Sequence, residues 1–417
     1  MRRSRKPVAL ARRALLVVVL IGAAVIPGRA SSDQAEHCSG VRCRSAGSVL
    51  WTHTLPGSWL AEPGEAGTVP SQNGAFAAAG GGIAVVGTGT TVTAFLEKSG
   101  RQIWQVSLSD IPPGSVIVGV RAFPGAVAVG VEPDGGPSSG RDEVILSAAT
   151  GGELRTYRAA AYGGAIEASR TSAVIVGAHA VTDYVNATGR VLWARAIGPD
   201  ERTWRLSGPY VYVEAGSGPG SAAKVMVLRR ISLRNGAERV VRAHAKTGFA
   251  GTLSEVVDGD VLFATDQGVE AYDGTTGRRL WLRMSADVEL AESGQGIAYL
   301  ATGSRLIGVD VATDQVVSRA PMSVASSLYW VSGDVALGLD ENGLGEAWGY
   351  NLATRRVVWS TPSLPWPHFF VDLSGLGGSA SPGSDLMLLA TCGRVGTAGS
   401  GSSEPVCLRP ELAAVIA

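Results

Sequence analysis

Past residue 46 the chain is built of short runs in which apolar and polar residues alternate, separated by Gly, Asp, Ser and Thr. Period-two alternation bounded by turn residues predicts β-strands, and no helical periodicity of useful length interrupts it. One arrangement recurs. VEAYDGTTGRRLW (residues 269–281) is matched by VTAFLEKSGRQIW (92–104), VTDYVNATGRVLW (181–193) and AWGYNLATRRVVW (347–359). Each is an alternating strand, a polar turn with Gly or a substitute, and a second strand reaching Trp four residues after the turn. Weaker copies surround Gly151, Gly236 and Asp314, and Gly47 to Trp51 repeats the second half alone.

The turn positions are then 47, 100, 151, 189, 236, 277, 314 and 355, a mean spacing of 44 residues over seven intervals. That length holds four short strands and suits the blades of a β-propeller rather than a helical solenoid. Further strands fall between the hairpins: GGIAVVG, SAVIVGA, YVYVEA, GDVLFAT, GIAYLAT and GDVALGL. Downstream of Trp359, strands are expected near 368–372, 385–391 and 405–408, with no closing Trp hairpin. The expected fold is an all-β, eight-bladed propeller over residues 47–417, with seven blades as the alternative count. Its last blade is completed by the strand at Trp51, which removes exposed sheet edges.

The first thirty residues read differently. Arg2, Arg3, Arg5, Lys6, Arg12 and Arg13 precede an apolar run at 14–26, ended by Pro27, and Gly28-Arg29-Ala30 offers a cleavage site. This is the pattern of a signal peptide, or of a signal anchor if uncleaved; the run is short for a bilayer span. The expected location is secreted or extracytoplasmic, with membrane attachment only through that segment. Residues 31–46 form a Cys-containing linker. Four cysteines, Cys38, Cys43, Cys392 and Cys407, suit an oxidising compartment as disulfides; pairing 38 with 43 and 392 with 407 is the simplest of three connectivities. The residues before Cys38 lack a lipoprotein signal.

Composition narrows the function. Thirty-six basic residues balance 36 acidic ones, so no basic surplus points to nucleic acid. Glycine, at 56 of 417 residues, is nearly twice the usual ~7% and suits many tight turns.

The segment containing Ala271, Asp273, Thr276, Gly277 and Trp281 resembles the tryptophan-docking repeat (A-x-D-x-x-T-G-x-x-x-W) of the quinoprotein-like β-propellers. That superfamily includes pyrroloquinoline-quinone (PQQ) alcohol dehydrogenases and a non-enzymatic scaffold lipoprotein of outer-membrane barrel assembly. Gly100 with Trp104, and Gly189 with Trp193, carry the likeness into other copies. The resemblance implies that Trp51, Trp104, Trp193, Trp281 and Trp359 form a structural girdle between blades, each indole N–H seeking a backbone partner.

No chemistry-bearing motif accompanies the repeat. The quinone enzymes use adjacent cysteines and a Ca²⁺ site; here no two cysteines are neighbours. The five histidines are isolated, and Gly136-Pro-Ser138-Ser-Gly140 lies in a loop rather than at a strand-to-helix elbow. The glycine-rich stretch ending at Lys224 lacks the Gly-Lys-Ser/Thr of a phosphate loop. The Asn186-Ala187-Thr188 sequon sits in a repeat hairpin. Trp59, Trp204, Trp330, Trp348, Trp366, Phe369 and Phe370 fall outside the docking slot, and Trp366 is the candidate partner-facing residue. The reading is a monomeric, non-catalytic scaffold that binds a protein or cell-envelope partner through one face, without cofactor, metal or nucleic acid. A PQQ oxidoreductase and a glycan- or small-ligand-binding propeller are the alternatives.

Overall fold

The structure is a computed structural model describing residues 49–54, 59–60 and most of 75–416. The longest omitted segments between 75 and 416 are 134–140, 218–224, 246–251, 322–327, 340–346, 361–368, 371–385 and 398–404. The expected signal segment and linker, Gly47, Cys38, Cys43 and Trp366 lie outside the described residues. All the described residues belong to one unit, Arg44–Ala417.

Among the described residues every element is a strand. Seven four-stranded antiparallel meanders follow one another: sheet 1 (75–107), sheet 2 (116–159), sheet 3 (164–196), sheet 4 (203–245), sheet 5 (252–284), sheet 6 (288–321) and sheet 7 (328–360). A terminal sheet draws on both ends of the chain, in the order Val49–Thr54, Pro410–Ile416, Leu386–Cys392, Phe369–Phe370. A three-stranded sheet of Trp59–Leu60, Pro405–Cys407 and Val395–Thr397 completes the set. Cys392 therefore ends a strand of the terminal sheet, while Cys407 lies in the small one.

Burial falls from the inner strands of a sheet to the outermost. Ile83–Thr88, the second strand of sheet 1, is buried along almost its whole length, and Ala126–Glu132 does the same in sheet 2. Runs of Val, Ile and Ala at these positions reflect coverage on both faces. The fourth strand of sheet 1, Gln102–Ser107, buries only Trp104. Trp104 is thus the outer strand's one buried side chain, with Ile103 and Val106 partly buried against the same core.

The hairpins that carry the repeat share one conformation. Gly100, Gly151, Gly189, Gly236 and Gly277 have φ of 65°, 71°, 68°, 64° and 73°, and the two non-glycine copies, Asp314 and Arg355, adopt 60° and 57°. In every copy the N–H of this residue bonds the carbonyl four residues earlier, as Gly277 does to Asp273 at 2.7 Å and Arg355 to Asn351 at 2.8 Å. The left-handed turn is the shared geometry, and glycine is its least strained occupant. Asp273 Oδ1 accepts from the Thr275 and Thr276 amides at 2.8 Å, which holds its carboxyl below the usual range. Asp310 and Asn351 make the equivalent bond to Thr313 and Thr354.

The second strands of six sheets fall on the apolar runs expected for them, and the strand at Trp51 joins the terminal sheet. Its partner, Pro410–Ile416, was not anticipated: PELAAVI opens on a proline and has no alternation to mark it. The strand becomes recognisable only through its register, Trp51 opposite Ala414 and His53 opposite Leu412.

Candidate functional site

Cross-strand register places one row of four residues across each meander. In sheet 5 the row runs Glu255–Leu262–Ala271–Trp281, from first strand to fourth. In sheet 1 it is Ala78–Val85–Ala94–Trp104, and in sheet 3 Glu167–Val174–Asp183–Trp193. The outer end of the row is the docking position.

There the contacts repeat. Trp51 Nε1 donates to Glu97 O at 2.8 Å, Trp104 to Ala148 O at 2.8 Å, and Trp281 to Val311 O at 2.7 Å, each reaching the turn of the following sheet. The turn glycine of that sheet lies against the indole: a Cβ on Gly100 would sit 2.5 Å from Trp51, and one on Gly151 2.7 Å from Trp104. Ala271 and Ala94 face Trp281 and Trp104 in register and share their buried clusters. Thr276 Oγ1 accepts from Arg278 N at 3.3 Å. Trp359 pairs with Gly349 in register; its side chain is outside the described set. Sheet 2 breaks the pattern with Arg155, whose guanidinium meets Gly189 where an indole would.

Trp193 also departs. Its docking-row neighbour is Asp183, a carboxylate 6% exposed where sheets 1 and 5 have alanine. Trp193 Nε1 bonds no carbonyl of the next turn among the described residues and has the Asp183 carboxyl as its hydrogen-bonding neighbour instead. Burial pushes the Asp183 carboxyl up to about 6, with the charge of Glu167 adding, while the indole and the Tyr184 amide pull the other way.

The inner end of the row holds what the sequence reading missed. The first strands of sheets 1 and 2 lie against each other, as do those of sheets 4 and 5, 5 and 6, and 6 and 7, which makes them the innermost strands. They are almost uncharged. Of six charged residues on the seven first strands, five occupy the row: Arg121, Glu167, Arg205, Glu255 and Glu292, on sheets 2 to 6. Glu289 is the sixth, and sheets 1 and 7 place Ala78 and Trp330 in the row. A belt of charge therefore follows consecutive sheets at one level, two residues before each hairpin. The available signal was a lone charge in an apolar run shortly before a turn, which means little until register aligns the copies.

The arginines of the belt are held by protein. Arg121 Nη1 donates to Ala165 O on the first strand of sheet 3 and its guanidinium lies 5.0 Å over the Trp204 ring. Burial lowers its pKa to about 10, against the pull of Glu143. Behind it, Arg141 and Glu143 form an interior pair at 2.8 Å. Arg205 Nε donates to Ser254 O at 2.8 Å and meets Glu255 at 3.4 Å. Glu167 is exposed and makes no ion pair among the described residues, yet the protein around it raises its pKa by desolvation. Glu255 is raised likewise by burial, with Arg205 opposing.

Beside the belt, at the hairpin end of sheets 4 and 5, lies a cleft of ≈ 480 Å³. Asp258, Asp260 and Asp273 line one side; Tyr210, Tyr212 and Arg230 line the other. Arg230 donates to Thr275 Oγ1 at 2.7 Å and lies 4.6 Å over Tyr210, while Tyr212 donates to Gly259 O at 3.1 Å. Burial raises Asp260, and the charges of Asp273 and Asp258 add to it.

Other candidates are accounted for elsewhere. Asn186 of the sequon is buried, its Oδ1 accepting from Tyr157 and its Nδ2 donating to Ser169 O. Gly136–Gly140 and Lys224 lie outside the described residues, and no three His, Cys, Asp or Glu converge as metal ligands among those described. Trp204 is buried in the core between sheets 3 and 4.

No family model and no curated protein matches this sequence. Solved structures do. Sqt1 of Saccharomyces cerevisiae is similar over 84% of this chain and 97% of its own, at 8% identity and a TM-score of 0.50. The quinohemoprotein alcohol dehydrogenase of Comamonas testosteroni covers 88% of this chain and 76% of its own, at 13% identity and a TM-score of 0.46. Apo AztD of Citrobacter koseri covers 70% and 87%, at 13% and 0.48. At such identities the likeness concerns architecture alone. Together with the seven successive meanders, it makes this chain a β-propeller.

Proposed function

We propose that the protein is an exported, non-catalytic propeller scaffold that binds a partner of the cell envelope through the hairpin end of its inner strands. The ring then has eight blades, the seven meanders plus the terminal sheet, closed by the strand at Trp51. The five docking tryptophans are its ribs. Disulfides among Cys38, Cys43, Cys392 and Cys407 would hold the closing blade against opening.

The observation that carries the reading is the belt. Charged residues hold one register position on five consecutive first strands, and both arginines among them are fixed in place by backbone carbonyls of the next sheet. A rigid ring presenting fixed charge suits recognition more than chemistry, which needs a nucleophile or acid–base pair aimed at one point. Photo-crosslinking from Tyr210 in the native cells, with a benzoylphenylalanine at that position, tests the reading. A reproducible adduct is expected; a clean monomer under conditions where the protein is exported would remove it. Addition of Ca²⁺ and PQQ is expected to give no bound chromophore and no dye-linked activity, and either signal would favour the oxidoreductase instead.

A further inference from the structure

We propose that His53, Tyr157, Arg195 and Arg283 fill a second docking position, six residues after the turn residue, that clasps the hairpin of the following sheet, and that His53 thereby secures the strand Val49–Thr54 against sheet 1. These contacts join sheet to sheet whatever the ring binds.

The spacing follows from strand geometry. Residues two apart on a strand share a face, so the residue two after the docking indole points at the same neighbouring sheet. On Val49–Thr54 this face carries Trp51, which is buried, and His53, which is half-buried, while Thr52 and Thr54 are exposed. Trp51 Nε1 donates to Glu97 O at 2.8 Å, and His53 Nε2 donates to Gly100 O on the same hairpin. The imidazole also stacks on Phe95, with ring centres 4.2 Å apart.

The position acts at other joints. Arg195 Nε of sheet 3 donates to Gly236 O of sheet 4. Arg283 of sheet 5 donates from Nη2 to Asp314 O of sheet 6 at 2.8 Å and from Nε to Asp314 Oδ1 at 2.9 Å. Sheet 2 places Tyr157 there, its hydroxyl donating to Asn186 Oδ1 in the turn of sheet 3 at 2.8 Å. Arg242 of sheet 4 instead lies 4.0 Å over the Tyr272 ring of sheet 5. Sheet 1 has Val106, an apolar residue that packs on the Gly151 turn, and sheet 6 has Ala320.

A hydrogen-bonding demand explains the donors. In these turns the ladder closes on the carbonyl after the left-handed residue, as Leu96 N does on Arg101 O, Ser232 N on Ala237 O and Asp310 N on Gln315 O. The carbonyl of the left-handed residue itself is left outside that ladder, and a donor from the preceding sheet satisfies it. Such a bond forms only when the two sheets are seated together. The strand Val49–Thr54 depends on it most. It is an edge strand paired on one side only, with Pro410–Ile416, and no hairpin tethers it to that partner more than 350 residues away. Its side-chain clasps therefore carry a larger share of its attachment than those of an outer strand held by a tight turn.

Hydrogen–deuterium exchange of the full chain, read by mass spectrometry on peptides covering 49–54 and 279–284, tests the assignment. His53→Ala should speed exchange over 49–54 about tenfold, for a hydrogen bond lost together with a stacked ring, and leave 279–284 unchanged. His53→Arg restores a donor of the kind that Arg195 and Arg283 supply and should keep most of the protection. His53→Phe keeps a ring against Phe95 but no donor, and should exchange about fivefold faster than the wild type. Arg283→Met should loosen 279–284 by a similar factor and leave 49–54 unchanged. Loss confined to one peptide separates an undone clasp from general unfolding. No change with His53→Ala, protection kept by His53→Phe, or protection lost in His53→Arg overturns His53 as a donor. Unchanged exchange over 279–284 in Arg283→Met, or faster exchange of both peptides in every variant, overturns the repeated position.

Discussion

Sheets 1 and 3 are built from the same repeat and differ in one row. In sheet 1 the row is apolar throughout, Ala78–Val85–Ala94–Trp104, and its indole is tied to Ala148 O of the next sheet. In sheet 3 the positions of both alanines are carboxylates, Glu167 and Asp183, and the indole of Trp193 lacks its tie. The first arrangement buries apolar surface and ties its indole to a backbone carbonyl; the second buries a carboxylate beside its indole, and that burial raises the carboxyl's pKa. Repeats that diverge toward a less favourable row do so where something other than packing is selected. The divergence falls on sheet 3, one of the five consecutive sheets whose first strand carries a charge in this row.

Exchanging the rows tests this. Ala94→Asp places the sheet 3 arrangement in sheet 1, where no neighbouring group has adapted to it. An unpaired buried carboxylate under Trp104 should cost about 3–5 kcal/mol, read by denaturant unfolding at neutral pH. The reverse change, Asp183→Ala, should stabilise the protein by about 1–3 kcal/mol near neutrality. Its pH dependence follows from the raised pKa of Asp183. The carboxyl is protonated in both folded and unfolded chains at low pH, so no penalty exists below the usual Asp range. The penalty develops as pH rises from that range to about 6 and is constant above it. The gain from Asp183→Ala should therefore vanish in acid, and a gain independent of pH would mean that the carboxylate is not its source.

Smaller effects sharpen the contrast. Trp104→Phe removes the N–H donated to Ala148 O and should cost about 1 kcal/mol at any pH, whereas the cost of Trp193→Phe, whose N–H serves the Asp183 carboxylate, should fall away in acid. Comparable losses in acidic thermal melts would show that the two indoles are tied alike. Last, Arg355→Gly relieves a left-handed turn that six other copies fill with Gly or Asp, and should raise stability by about 0.5–1 kcal/mol. A loss instead would show that the arginine side chain makes a contact outweighing the strain.

The turns were legible because their chemistry is local. Thr-Gly preceded by Asp or Asn supplies amide acceptors and a left-handed residue within six positions, so Gly277, Gly189 and even Asp314 and Arg355 align as copies of one turn. Second strands were legible because burial on both faces writes unbroken apolar runs, as in Ile83–Thr88. Pro410–Ile416 was not, since an Ala-rich strand has no alternation and its identity depends on a partner more than 350 residues away. The belt was illegible for the same kind of reason. Arg121, Glu167, Arg205 and Glu255 each look like a solitary surface charge, and the spacing between them varies with loop length.

Short-range pattern was therefore enough to specify an all-β repeat with Trp-terminated hairpins, because hydrogen bonding within a turn and burial along a strand act over a few residues. Folding alone aligned five separated charges at one register position on successive sheets and set Asp183 opposite Trp193. Those placements depend on which residue of one strand faces which residue of the next, and that register is settled by packing between strands far apart in the chain.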